Sequence, residues 1–119
     1  MKKEVRRFED LQVWKDAMNL TLSVYEKMRL CKDLGMKDQI QRAAVSIPSN
    51  IAEGFERQTT KEFVQFLYIA KGSCAELRTQ LYLSIKLNYL LKTEGMEMVQ
   101  QAENISKMLY NLILYRKSM

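Results

Sequence analysis

The sequence predicts an all-α protein, an antiparallel up-down-up-down four-helix bundle in one domain (1–119) with its second helix bent at Pro48. Three observations lead there. Glycine and proline are scarce, four and one in 119 residues, whereas all-β domains need many turns. Apolar residues recur at spacings of three and four, the helical period. Cap and turn residues divide the chain into four segments of helical length joined by short connections, which make sequential helices antiparallel neighbours.

The first helix is expected from Phe8 or Asp10 to Leu30. Asp10 would cap it, and Leu11, Trp14, Met18, Tyr25 and Met28 lie near one apolar stripe. Cys31–Gly35 turns the chain. The second helix is expected from Met36 to Phe55, with Ile40, Ala44, Ile47, Ile51 and Phe55 on one stripe. Pro48, the one proline, falls inside that run. It deletes one backbone hydrogen bond and presses on the Ala44 carbonyl, at a cost of about 3 kcal/mol in a helix interior. Ser46, Ser49 and Asn50 flank it with groups able to cap freed backbone.

Gly35, Gly54 and Gly95 mark boundaries between periodic segments. Thr59-Thr60-Lys61-Glu62 has the capping-box pattern, so the third helix starts there and runs to about Leu90 or Leu91. Thr93 or Glu94 opens the fourth, which continues to Arg116. A turn near Gln58 sets Ala43 and Ala44 opposite Gly72 and Ser73, small residue against small residue. Gly72 costs about 1 kcal/mol in a helix interior and so calls for a packing reason. The same register predicts an Arg42–Glu76 ion pair.

Composition narrows the function. The chain is 47% hydrophobic, enough for a sizeable core, and has no apolar run of membrane-spanning length. Met-Lys-Lys-Glu-Val-Arg-Arg has no apolar segment behind it, so no signal peptide is expected. Cys31 and Cys74 lack a CxxC spacing and read as reduced thiols in a cytoplasmic protein. Histidine is absent altogether, which removes the commonest general base and metal ligand. No phosphate-binding glycine loop or nucleophile elbow is present. Glu53, Glu56 and Glu62 lie among Arg57 and Lys61, a setting for ion pairs and caps rather than acid–base work. No catalytic, cofactor or metal site is therefore expected.

Two features point to partners. Phe63–Ala70 and Tyr110–Tyr115 are apolar nearly all around a helix, broader than one bundle needs, which predicts self-association. The net charge is +5. The bundle topology gathers Lys2, Lys3, Arg6, Arg7, Arg57, Lys61, Arg116 and Lys117 at one end, with Glu4, Glu9, Asp10, Glu53, Glu56 and Glu62 opposing them. A ring of subunits would sum that field, which makes RNA or DNA phosphate a candidate ligand of this end or of a pore; the plain alternative is that these are solvated helix ends. Tyr68, Tyr82, Tyr110 and Tyr115 could stack on bases, but at helical spacing they are expected in core or interface.

Phe8-Glu9-Asp10-Leu11-Gln12-Val13-Trp14, the Arg42–Gly54 segment with its Ser46-Ile47-Pro48-Ser49-Asn50 centre, the run Phe66–Ser73, Glu76-Leu77 and Thr79-Gln80-Leu81 carry a resemblance. In this order they resemble the bacterial four-helix-bundle family of 23S ribosomal RNA intervening-sequence proteins, from Phe8 to about Leu91. The last helix matches by its apolar pattern. Arg78 stands where many relatives have an acid. The resemblance implies a homopentamer around a central axis and no established catalytic activity; many relatives are encoded within insertions in ribosomal RNA genes. The family is similar to accessory variability proteins of diversity-generating retroelements, basic pentameric bundles that bind nucleic acid and a reverse transcriptase. The resemblance thus implies self, nucleic acid and a reverse transcriptase or other protein as partners. The first expectation is a non-enzymatic oligomer that binds RNA or DNA. Its rival is a purely structural or protein-interaction module.

Overall fold

In a computed structural model, which describes residues 4–119, the chain is all-helical. A 3₁₀ turn (Phe8–Asp10) precedes α1 (Gln12–Lys27), α2 (Leu34–Phe55), α3 (Thr60–Lys86) and α4 (Lys92–Lys117). Helix α1 packs on α2 and α4, and α3 packs on α2 and α4, while the diagonal pairs stay apart. Cross-helix partners run in opposite directions. Ser46 of α2 meets Ser73 of α3, while Gly54 meets Phe63 and Phe66. Thr60 of α3 meets Arg116 of α4, while Ile85 meets Gly95. That is the pairing of antiparallel neighbours.

The core is one cluster drawn from all four helices, including Leu20, Ile40, Ile47, Ile51, Leu67, Leu77, Leu81, Ile105, Leu109 and Ile113. The expected α2 stripe is buried from Ile40 to Ile51, and Phe55 packs against its edge. On α1 the phase differs from expectation. Val13, Ala17, Leu20, Val24 and Met28 face inward, while Met18 and Tyr25 are exposed. Leu11, Trp14 and Met28 of the expected stripe do pack on the core, so the difference lies at Met18 and Tyr25.

Pro48 lies buried inside an uninterrupted α2. Its missing N–H leaves the Ala44 carbonyl without its helical donor. Thr21 of α1 supplies one: its Oγ1 lies 3.1 Å from Ala44 O and 2.8 Å from Ala17 O. Ala17 O already has the α1 ladder, so the hydroxyl proton is needed more at Ala44. The expected caps do different work. Asn50 Nδ2 donates to Ser46 O at 2.7 Å and to Ser46 Oγ at 2.9 Å. Ser46 Oγ lies 2.9 Å from Ser73 Oγ, which donates to Ile69 O at 3.2 Å. With the Ser73 proton on Ile69, Ser46 donates to Ser73, and a polar relay ties α2 to α3.

Several other boundaries depart from the sequence reading. Asp10 does not cap α1. Its carboxylate accepts from the amides of Arg6 and Arg7, each at 3.1 Å, and closes the 3₁₀ turn instead. Asp33 caps α2, accepting from Met36 N at 3.1 Å, and so starts it two residues early. Thr59 caps α3 as expected, accepting from Glu62 N at 3.1 Å. Helix α3 ends at Lys86 because Asn88 takes φ 63°. Asn88 N then donates to Ile85 O at 3.0 Å and Tyr89 N to Ser84 O at 2.8 Å, the Schellman pattern with asparagine in glycine's place.

Gly54 and Gly95 lie within helices rather than between them. A Cβ on Gly54 would collide with Phe66 Cβ, and one on Gly95 with the Ile85 side chain. They permit α2–α3 and α3–α4 contact. Gly72 does not: a Cβ there would meet nothing within 4 Å. The register argument fixed the level along the axis but not the direction each residue faces. Ser73 points at α2, and Gly72, one residue earlier, points to solvent. Arg42 likewise pairs not with Glu76 but with Asp38, one turn back, at 2.9 Å. The local pair orders less side chain to make the same contact.

Replacing Thr21 by Val should cost about 1–3 kcal/mol in urea unfolding, the penalty of a buried carbonyl left without a donor. The loss should shrink in a Pro48→Ala background, where residue 48 regains an amide for Ala44. Strictly additive costs would contradict the Thr21–Ala44 bond.

Candidate nucleic-acid interface

Three helix termini build the end to which the sequence assigned the positive charge. The last turn of α2 approaches the first turns of α3 through Gly54, and Phe55 meets Phe63 edge-on with centroids 5.7 Å apart. This aromatic floor holds two arginines. The Arg57 guanidinium lies 4.9 Å from the Phe66 centroid, and Arg116 lies 5.0 Å from that of Phe63. Arg116 Nη2 also donates to Thr60 Oγ1 at 3.4 Å. Stacking on a ring face orients a guanidinium for about 0.5–1 kcal/mol while leaving N–H edges to reach a ligand. The floor links α2, α3 and α4, and no spacing within one helix announces it.

Lys61 and Lys117 flank these arginines. Both are exposed, and neither makes an ion pair among the described residues. Part of this charge has a helical reason. Arg116 and Lys117 occupy the last turn of α4, and Arg57 follows α2, where carbonyl dipoles favour cations. Lys61 sits in the first turn of α3, the positive end of a dipole, so helix electrostatics does not account for it.

The other predicted residues are placed differently. Arg6 pairs with Glu4 at 3.1 Å and Arg7 with Glu9 at 3.2 Å. They precede Phe8, which stacks edge-on against Trp14 at 5.4 Å and lines a recess with Pro48, Ser49 and Ala52, on the α1–α2 side. Arg57 has a weaker tie to Glu53 at 3.5 Å. The structure thus gathers Arg57, Lys61, Arg116 and Lys117 around the start of α3 and sets Arg6 and Arg7 apart, with their charges matched. Lys2 and Lys3 lie outside the described residues. Of the core-or-interface expectation for the tyrosines, the core half fails: Tyr68, Tyr82, Tyr110 and Tyr115 are all exposed in the single chain.

At the opposite end, the two remaining loops are tied together. Tyr89 donates its hydroxyl to Asp33 Oδ2 at 2.8 Å, and Lys27 pairs with Glu94. The Met36 amide and the Tyr89 hydroxyl hold the Asp33 carboxyl below its ordinary pKa, and Asp33 raises Tyr89 in turn. Hydrogen bonding to Glu94 raises Lys27. These ties join the two loops, and the half-buried Cys31 thiol lies beside them, 3.8 Å from Asp33 O.

The sequence model of the 23S rRNA-intervening sequence protein family matches residues 9–111. No curated protein sequence matches the chain. Among solved structures, it is similar to a protein of unknown function from the S23 ribosomal protein family of Bacteroides thetaiotaomicron. That structure is 24% identical, covers 85% of this chain and 97% of its own, and superposes with a TM-score of 0.78. The likeness supports the fold.

Cys74 is buried between the helices, and burial pushes its thiol up to about 12, outweighing Arg78 and Lys71 nearby. Among the described residues no cluster of His, Cys, Asp or Glu is arranged to hold a metal. In the native protein near pH 8, a thiol reagent should label half-buried Cys31 at least about a hundredfold faster than Cys74. Equal native-state rates would show that Cys74 is open and reactive.

Proposed function

The chain belongs to the 23S rRNA-intervening sequence protein family, and we propose that it is a non-enzymatic, self-associating bundle whose basic end binds RNA or DNA. The observation that carries this reading is Lys61, a cation at the wrong end of a helix dipole, beside unpaired Lys117 and the ring-stacked guanidiniums of Arg57 and Arg116. Among the described residues only Arg57 of these four has an acidic partner, Glu53 at 3.5 Å; phosphate would match the rest, and arginine edges and lysine points are its usual ligands. Repetition of the end around an assembly would sum the field of the subunits.

One observation favours a second reading, a protein-interaction module in which the basic end is incidental. The outer face of α3 exposes Ile69, Leu83 and Leu87 on one flank and Tyr68 and Tyr82 on the other, with Gly72 open between them. A glycine with empty space around it inside a helix lowers stability without gain in the monomer. Close approach of another helix would supply the gain.

Titration with a single- or double-stranded oligonucleotide at two salt concentrations tests the first reading. Affinity should fall steeply with salt, and Lys61→Gln or Lys117→Gln should each lower the log–log slope by about 1. No binding at low salt would end the nucleic-acid reading.

Light scattering tests the assembly. Gly72→Leu should reduce the mass of the wild-type oligomer, while Gly72→Ala should raise monomer stability by roughly 0.5–1 kcal/mol. A wild-type mass of 14.0 kDa would rule assembly out.

A further inference from the structure

Away from the basic end, the outer seam of α3 and α4 opens into a recess of about 420 Å³ lined by Lys71, Ser106, Lys107, Tyr110 and Asn111. That volume falls in the range of small-ligand sites. No lining residue is acidic, and neither lysine makes an ion pair among the described residues. Lys71 Nζ stands 5.9 Å from the Tyr110 ring centroid, and that ring is 46% exposed.

In two other basic recesses acids accompany the cations: Glu94 pairs with Lys27 in the α3–α4 loop recess, which Lys86 and Lys92 also line, and Asp38 pairs with Arg42 in the α2–α3 groove, which Glu76 also lines. The seam recess combines uncompensated positive charge, a partly exposed aromatic ring, a hydroxyl and a carboxamide. Stability of the single chain explains none of that convergence. A phosphate ester of a planar base satisfies all of it: the phosphate on the two ammoniums, the base on the ring, the sugar or base edge on Ser106 and Asn111.

We infer that this recess binds one nucleotide of a single strand, with its phosphate between Lys71 and Lys107 and its base stacked on Tyr110. A duplex keeps its bases stacked on one another and offers none to Tyr110. The seam is continuous with the basic end, since Lys117 lies two turns beyond Tyr110 on α4 and Lys61 lies towards the start of α3. In the other direction Arg78 returns to the α4-facing side of α3 two turns after Lys71, and its Nε is buried without a hydrogen-bond partner. The strand path rests on the nucleic-acid reading above. The nucleotide recess does not.

The test uses the full chain, labelled for NMR and titrated with uridine 5′-monophosphate, with inorganic phosphate as the comparison. An oligouridylate is followed separately by anisotropy. The nucleotide should shift the amides of Lys71, Lys107, Tyr110 and Asn111, and Lys71→Gln with Lys107→Gln should remove those shifts. Tyr110→Leu should weaken the oligouridylate roughly tenfold, while Tyr110→Phe should retain it.

Absence of the nucleotide shifts, or identical shifts with inorganic phosphate alone, would overturn the inference. Strand binding without nucleotide shifts would leave the basic end standing and sink the recess. Nucleotide shifts without strand binding would do the reverse.

Discussion

Much of this bundle turns on one backbone carbonyl. Pro48 removes the donor of Ala44 in the middle of the buried face of α2, and an unpaired carbonyl there would cost about 1–3 kcal/mol. Thr21 reaches across from α1 to meet it. That contact needs α1 close to α2, which accounts for Ala17 and the valines on the core face of α1. On the other side, Asn50, Ser46, Ser73 and Ile69 form a relay that joins α2 to α3. Ser46 and Asn50 beside Pro48 are thus committed to satisfying backbone and one another.

With the interior so occupied, recognition falls to the outside. Helix α3 has a central place, because α2 and α4 both pack on it and its remaining face looks outward. Its first turns carry the rings on which Arg57 and Arg116 stack, its middle carries Gly72 between exposed apolar side chains, and its α4 side carries Lys71. One helix therefore presents three different surfaces, charged, apolar and mixed. Assembly through the apolar flank near α2 leaves the α4 seam available, so self-association and strand binding need not compete.

Features set by adjacent residues were legible in the sequence. The Thr59 cap, the α2 stripe and the family motif depend on spacing within one helix, and the structure has them. Features set between helices were not. The Thr21 hydroxyl, the phenylalanine floor beneath Arg57 and Arg116, and the Lys71–Tyr110 recess each join residues more than twenty positions apart. Helical phase caused the other differences. A hairpin register gives the level of Gly72 and Arg42 but not their direction, so Gly72 faced solvent and Arg42 took its nearer acid. Asn88 ended α3 early because asparagine, like glycine, tolerates a left-handed φ. Of the eight predicted cations, the structure gathers four. Arg6 and Arg7 are matched by near acids that local spacing had already placed beside them.

The carbonyl carbon shift of Ala44 is the most direct measure of the bond on which this packing rests. Comparing wild type with Thr21→Val reads it at the atom concerned. A hydroxyl donated to Ala44 predicts a clear upfield movement of the Ala44 carbonyl on substitution, larger than that at Ala17. An unchanged Ala44 carbonyl with a shifted Ala17 would contradict it, placing the Thr21 proton within its own helix and leaving the proline defect unrepaired.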